Sequence, residues 1–254
     1  MELDKIYTEL YDENQRLNKS KASSVEFITN TKYITDFLSE GAKILDIGAG
    51  TGVYSIYLAD KGYDVTSVEP VKRNLECLKS KIKENMTINP FQGNALDLSM
   101  IKDDSYDLVL NMGPLYHLKS EEERIRAIQE SVRVCKKGGK IFFAYISNDM
   151  VFITESLMYN SKFLGSDLYN HETMKVVDEP FTFLTVKYMN DLMRKLNLKE
   201  IKHFSSDGYA ELLEEKVNAL NDKQFKEWLK FHFYMCEKKE MLGSSHHIMF
   251  VTEK

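Results

Sequence analysis

The residues best suited to chemistry gather just after the first apolar run. Ile44 to Ile47 carries one acid, Asp46, and is followed by Gly48, Ala49, Gly50, Thr51 and Gly52. Glycine at every second position strips the turn of side chains. Main chain can then approach a ligand closely and take dihedrals that a Cβ would forbid. Val53 stands where a dinucleotide fingerprint would want glycine. Glu69-Pro70 closes the second apolar run, at the strand end that faces the crevice of a doubly wound sheet. A carboxylate carries only acceptors, so Glu69 suits a pair of vicinal hydroxyls. Asn94, Ala95 and Leu96 follow the third run, with Asp97 as an alternative acid two residues on. Tyr116 and His117 follow the fourth. A histidine titrates near neutrality, which makes His117 the best-placed general base in the sequence.

These residues need elements to hold them. Short apolar runs predict strands at 43–47, 64–68, 88–92, 108–111, 140–146, 199–204 and 247–252. Amphipathic spacing predicts helices between them, at 71–85, 121–135 and 185–196, and two more within 208–240. Ser23-x-x-Glu26 has the form of a capping box, with Gly41 as the glycine stop of that helical stretch. Lys136-Lys137-Gly138-Gly139 is expected to end the helix before the fifth strand. Residues 147–183 break the α/β rhythm and are rich in Met, Phe, Tyr and Asn. The expected fold is α/β: a Rossmann-like, doubly wound sheet of about seven strands with the last antiparallel. Residues 1–40 form an N-terminal helical lid carrying Tyr7 and Tyr11 toward a substrate. Residues 41–254 form the main domain, with cap insertions at about 147–183 and 208–242. The chain has 254 residues and a net charge of −5, so nucleic acid is not an expected partner. Three scattered cysteines suit a reducing cytoplasm and neither a disulfide framework nor a metal site. No apolar run is long enough for a bilayer, and no leader is evident.

The string Asp46-x-Gly48-x-Gly50-x-Gly52, with Glu69, the Gly93-Asn94-Ala95-Leu96 turn and the Lys-Lys-Gly-Gly turn in one order, resembles the class I S-adenosylmethionine-dependent methyltransferases. The resemblance covers roughly residues 41–146. It implies S-adenosylmethionine as cofactor and S-adenosylhomocysteine as product, held by Asp46, Gly48, Ala49, Gly50, Gly52, Glu69, Pro70, Asn94, Ala95, Leu96, Asn111, Met112 and Gly113. Asn94 stands where the family usually has an acid that accepts from the adenine amino group. Gly113-Pro114-Leu115-Tyr116-His117-Leu118 resembles a bacterial group within the class and departs from the Asn-Pro-Pro-Tyr of amino-methylating nucleic-acid enzymes. The implied reaction is methyl transfer to a small organic molecule. Tyr116 and His117 would be the catalytic pair and would line the substrate site with Tyr7 and Tyr11, in a monomer or homodimer without metal or membrane. Transfer to RNA or protein, cofactor binding without catalysis, and an NAD-type oxidoreductase are the alternatives.

Overall fold

The apolar runs become neighbours in one sheet. In the computed structural model, which describes Leu17 and residues 19–254, β1 (Lys43–Ile47), β2 (Asp64–Glu69), β3 (Ile88–Gln92) and β4 (Tyr106–Asn111) pair in parallel. β5 (Cys135–Ser147) continues beyond β4 and carries the two-residue β6 (Phe183–Leu184) at its carboxyl end. β7 (Glu200–Ser205) and β8 (His247–Glu253) complete the sheet, with β8 antiparallel to both β5 and β7. The order is β3-β2-β1-β4-β5-β8-β7, eight strands once β6 is counted. This is the α/β doubly wound architecture expected, with one short strand more. The order reverses at β1, so a crevice opens where the chain leaves β1 and β4 in opposite directions.

Alternation along the strands sends successive side chains to opposite faces. On one face Leu45, Ile47, Val109, Ile141, Phe143 and Phe250 are buried under α4 (Glu121–Val134) and α6 (Val186–Lys195). On the other, Ile44, Leu108, Leu110, Phe142 and Met249 are buried under α1 (Lys21–Asp36) and α2 (Val53–Asp60). Both faces are covered, and the central strands are accordingly near-continuously apolar. α3 (Lys72–Ser80) lies beside β2 and β3. α5 (Asn148–Thr154), α7 (Glu214–Asn218) and α8 (Asp222–Met235) belong to the two segments that interrupt the alternation.

Three local expectations are corrected. The capping box at the start of α1 is Ser20 with Ser23, each side chain bonded to the other's backbone N–H. Glu26 therefore sits inside the helix, 7% exposed. That helix ends at Asp36, and Gly41 lies beyond it at φ +73 in the turn to β1. The Lys-Lys-Gly-Gly turn lies within β5, which starts directly at Cys135. A Cβ on Gly139 would fall 2.7 Å from Cys135 Sγ and 2.9 Å from the Asp107 carbonyl, so this glycine lets the strand bulge against β4. The N-terminal helix expected around Tyr7 and Tyr11 lies outside the described residues.

Candidate functional site

A cleft of about 310 Å³ opens at the carboxyl ends of β1 to β4. The turn after β1 forms its floor. The N–H groups of Gly48 and Ala49 both bond to the Val68 carbonyl on β2, at 2.8 and 3.1 Å. Gly48 has φ +73, and a Cβ there would sit 2.9 Å from Pro114 Cδ. Only glycine lets the turn after β1 meet the turn after β4. Gly52 does different work. It precedes α2 at φ +84, and its missing Cβ makes room for Leu78 of α3, whose Cγ would be 2.6 Å away. Gly52 is a packing glycine and not part of the cleft wall.

Two acids hold this floor. Asp46 is 3% exposed and accepts from the Ser55 hydroxyl at 2.6 Å; Ser55 in turn meets Ser67 at 2.8 Å. Burial pushes the Asp46 carboxyl up to about 6, against the lowering effect of Ser55. Glu69, also 3% exposed, accepts from Gly50 N at 2.8 Å, from Val71 N at 2.9 Å and from the Asn74 amide at 3.4 Å. Burial raises its pKa, while those bonds lower it. Glu69 thus ties the glycine turn to the start of α3 and still borders the cleft beside Pro70. These bonds give Glu69 a bracing role that the sequence did not signal.

The remaining expected residues divide. Asn94, Ala95, Leu96, Met112 and Gly113 line the cleft. The Asn94 side-chain oxygen accepts from Leu96 N at 2.9 Å, so that N–H is engaged within its own turn. Asp97 turns away: it is exposed and accepts from Ser99 N at 3.0 Å, which with the Ser99 hydroxyl lowers its pKa. Asn111 also leaves the set. It is 0% exposed, donates to Ser131 of α4 at 3.0 Å, and does not border the cleft. As the last residue of β4, it points its side chain into the helix-covered face. Thr51, 5% exposed, does border the cleft, and its hydroxyl has no partner among the described residues.

Tyr116 donates to the Met112 carbonyl at 3.0 Å, closing the turn after β4. Its ring stands at the wall between the cleft and a second cavity of about 610 Å³. His117 borders the cleft only, its ring centroid 5.2 Å from that of Phe181. Burial, aided by the Lys119 charge, holds His117 down to about 4. A base this weak keeps little of a proton's binding energy at neutral pH. Tyr7 and Tyr11 lie outside the described residues.

The second cavity was not anticipated. Glu26 and Tyr116 border it as well as the cleft, so the two spaces share a wall. Among the described residues six carboxylates line it, those of Glu26, Glu155, Glu179, Asp207, Glu211 and Glu214, with one lysine, Lys19. Asp207 accepts from His247 Nδ1 at 2.8 Å and from the His247 N–H at 3.2 and 3.4 Å, and Ser245 donates to it as well. Glu26 lies 3.4 Å from the same Nδ1. Pairing of β7 with β8 brings these residues together across 40 positions of sequence. No local motif announces such a contact; the adjacent histidines at 246 and 247 were the only trace.

Residues 45–143 match the family model described as a methyltransferase domain. Over that stretch the chain is similar to methyltransferase domains. YqeM of Bacillus subtilis, named only as a methyltransferase, is 29% identical over 113 residues, 44% of this chain and 46% of that protein. A glycine/sarcosine N-methyltransferase of Aphanothece halophytica is 26% identical over 148 residues, 57% of this chain and 54% of that one. The chain therefore spans about half the length of the curated relatives it matches. The fold is similar over the full length of both chains to a Thermotoga maritima S-adenosylmethionine-dependent methyltransferase, with a TM-score of 0.63 and 19% identity. Among the described residues, no helix is long and apolar enough to cross a membrane.

Proposed function

We propose that this protein transfers a methyl group from S-adenosylmethionine to a small organic molecule. The observation that carries the reading is the pair of adjoining spaces: a glycine-floored cleft at the carboxyl ends of parallel strands, and a second cavity behind Tyr116 and Glu26. The cleft suits the cofactor. Its floor is bare main chain at Gly48 and Gly50, Glu69 borders it with two carboxylate oxygens, and Thr51 offers a buried hydroxyl still to be satisfied. Asn94 to Leu96 would border the adenine end, and Met112 and Gly113 the end near Tyr116. Bound there, the sulfonium supplies an electrophilic methyl group. The protein's own contribution is alignment, which can supply up to roughly 7–11 kcal/mol, and exclusion of water.

The second cavity suits the acceptor. Its lining charge favours a molecule that enters as a cation, since among the described residues six carboxylates and one lysine border it. Its walls come largely from residues 147–183 and 208–242, which we read as caps over the acceptor. The glycine/sarcosine relative, named for an amine, is consistent with that chemistry. Three free cysteines, Cys77, Cys135 and Cys236, fit a reducing compartment, and we propose the cytoplasm. Titration calorimetry with S-adenosylhomocysteine tests the first half of this reading; an absence of binding removes it. Incubation with methyl-labelled S-adenosylmethionine and a small-metabolite extract tests the second. Label confined to added RNA or protein would replace the small-molecule assignment.

A further inference from the structure

We infer that Asn74 shares the ribose of S-adenosylmethionine with Glu69. One vicinal hydroxyl donates to Glu69 and the other to the Asn74 amide oxygen, which makes Asn74 a specificity-determining residue for an intact ribose. The inference rests on the methyl-transfer reading above and divides a task that the sequence placed on Glu69 alone.

Asn74 occupies the third position of α3, one residue before the apolar stripe of Leu75 and Leu78. Asparagine is a poor helix former, because its amide competes for backbone groups. It is nevertheless 4% exposed here and lines the cleft beside Glu69 and Pro70. Its amide nitrogen donates to Glu69 Oε1 at 3.4 Å. No described residue donates to its oxygen, so the accepting half of the amide is left to the cleft. Buried polar groups nearly always find a partner, and here that partner comes from whatever fills the cleft.

The acceptor sites of Glu69 lead to the same place. An ionised carboxylate offers about four lone-pair sites. Oε1 already accepts from Val71 N at 2.9 Å and from the Asn74 amide. Oε2 accepts from Gly50 N at 2.8 Å. These three bonds leave room for one hydroxyl, on Oε2. A ribose presents a pair, on adjacent carbons. The second hydroxyl therefore needs an acceptor next to Glu69, and the amide bonded to that carboxylate supplies it. Other polar side chains around the cleft are committed or stand elsewhere: Asp46 accepts from Ser55, the Asn94 oxygen accepts from Leu96 N, and Thr51 lies in the glycine turn. The second hydrogen of the Asn74 NH2 can meet the same hydroxyl oxygens, so the diol is read by donor and acceptor together. A neutral amide also adds no charge where burial, and then the Asp46 charge, already raise the Glu69 carboxyl.

Titration calorimetry tests this with S-adenosylhomocysteine and its two monodeoxy analogues, each lacking one ribose hydroxyl, on the full chain and on Asn74→Ala. The wild type should bind each analogue about threefold to tenfold more weakly than the parent compound. Asn74→Ala should bind the parent more weakly by a similar factor. Against one of the analogues that variant should match the wild type within about twofold, because the hydroxyl that Asn74 reads is already gone. A residue that only braces Glu69 would weaken all three compounds by the same factor, and that result overturns the inference. So does an Asn74→Ala chain that binds all three as the wild type does. Wild-type chain labelled with nitrogen-15 gives a second measurement that needs no variant. The Asn74 side-chain amide resonances should shift on addition of S-adenosylhomocysteine and lose most of that shift when one of the analogues takes its place. Resonances that respond alike to all three compounds overturn the inference even if Asn74→Ala fails to fold. A wild-type chain that binds none of the three removes the methyl-transfer reading itself and this inference with it.

Discussion

Glu69 combines two jobs in one carboxylate. Its oxygens accept from Gly50 N and Val71 N, and the same side chain borders the cleft. Glu69→Gln would turn an NH2 toward one of those N–H donors and leave a buried group unpaired. The expected loss is about 1–3 kcal/mol of stability together with weaker S-adenosylhomocysteine binding. Urea unfolding read beside calorimetry checks both; a variant that loses affinity at full stability would return Glu69 to a purely ligand-facing role. His117 supports a second expectation. Held near 4 by burial, it is already neutral across the working range. His117→Asn should therefore leave the shape of the pH–rate profile unchanged, even if its height drops. Disappearance of an acidic limb in that variant would restore His117 as the base.

At the scale of elements, the glycine turn is a joint between α2 and α3 as much as a ligand cradle. Gly52→Ala introduces a Cβ at φ +84 and 2.6 Å from Leu78 Cγ. Overpacking of this kind costs about 1–3 kcal/mol. The double variant with Leu78→Ala should be more stable than the two single losses added together predict, because the second change removes the clash created by the first. Strict additivity in chemical denaturation would mean that the two helices do not meet through this contact. The same element carries a lesson about legibility. The strand–turn–helix unit was readable because apolar run, glycines and amphipathic stripe follow one another within a few residues. The two roles of its glycines were not, since Leu78 and Pro114 arrive from elsewhere in the chain.

For the whole molecule, buried histidines set the acid response. His117, His203 and His232 are each held down to about 4, burial being the first cause, against an ordinary value near 6.5. Below about pH 6.5 the unfolded chain takes up protons at these positions that the folded chain resists. Their contribution is full above that pH and is lost as pH falls toward 4. Asp46 acts oppositely. Raised to about 6, its folded form retains a proton, so its contribution is present below 3.8 and lost as pH rises through 6. Glu69, also raised by burial, acts with Asp46, so three histidines stand against two acids, and the urea midpoint should fall between pH 7 and pH 4.5. A midpoint that rises over that range would show that these histidines are not desolvated in the folded state.

The sequence by itself determined the strand positions near 43–47, 64–68 and 88–92 and the glycine turn after the first of them, because each is written in residues adjacent along the chain. The surroundings of Asn111 and Gly52, supplied by Ser131 and Leu78, were not legible in it. Only the tertiary structure decided which distant polar groups meet. Asp207, His247 and Glu26 belong to three separate segments, and their meeting depends on β8 lying antiparallel to β7 with α1 folded across the strand ends. Local pattern encodes what one element buries; it carries no record of which distant element closes over the same space.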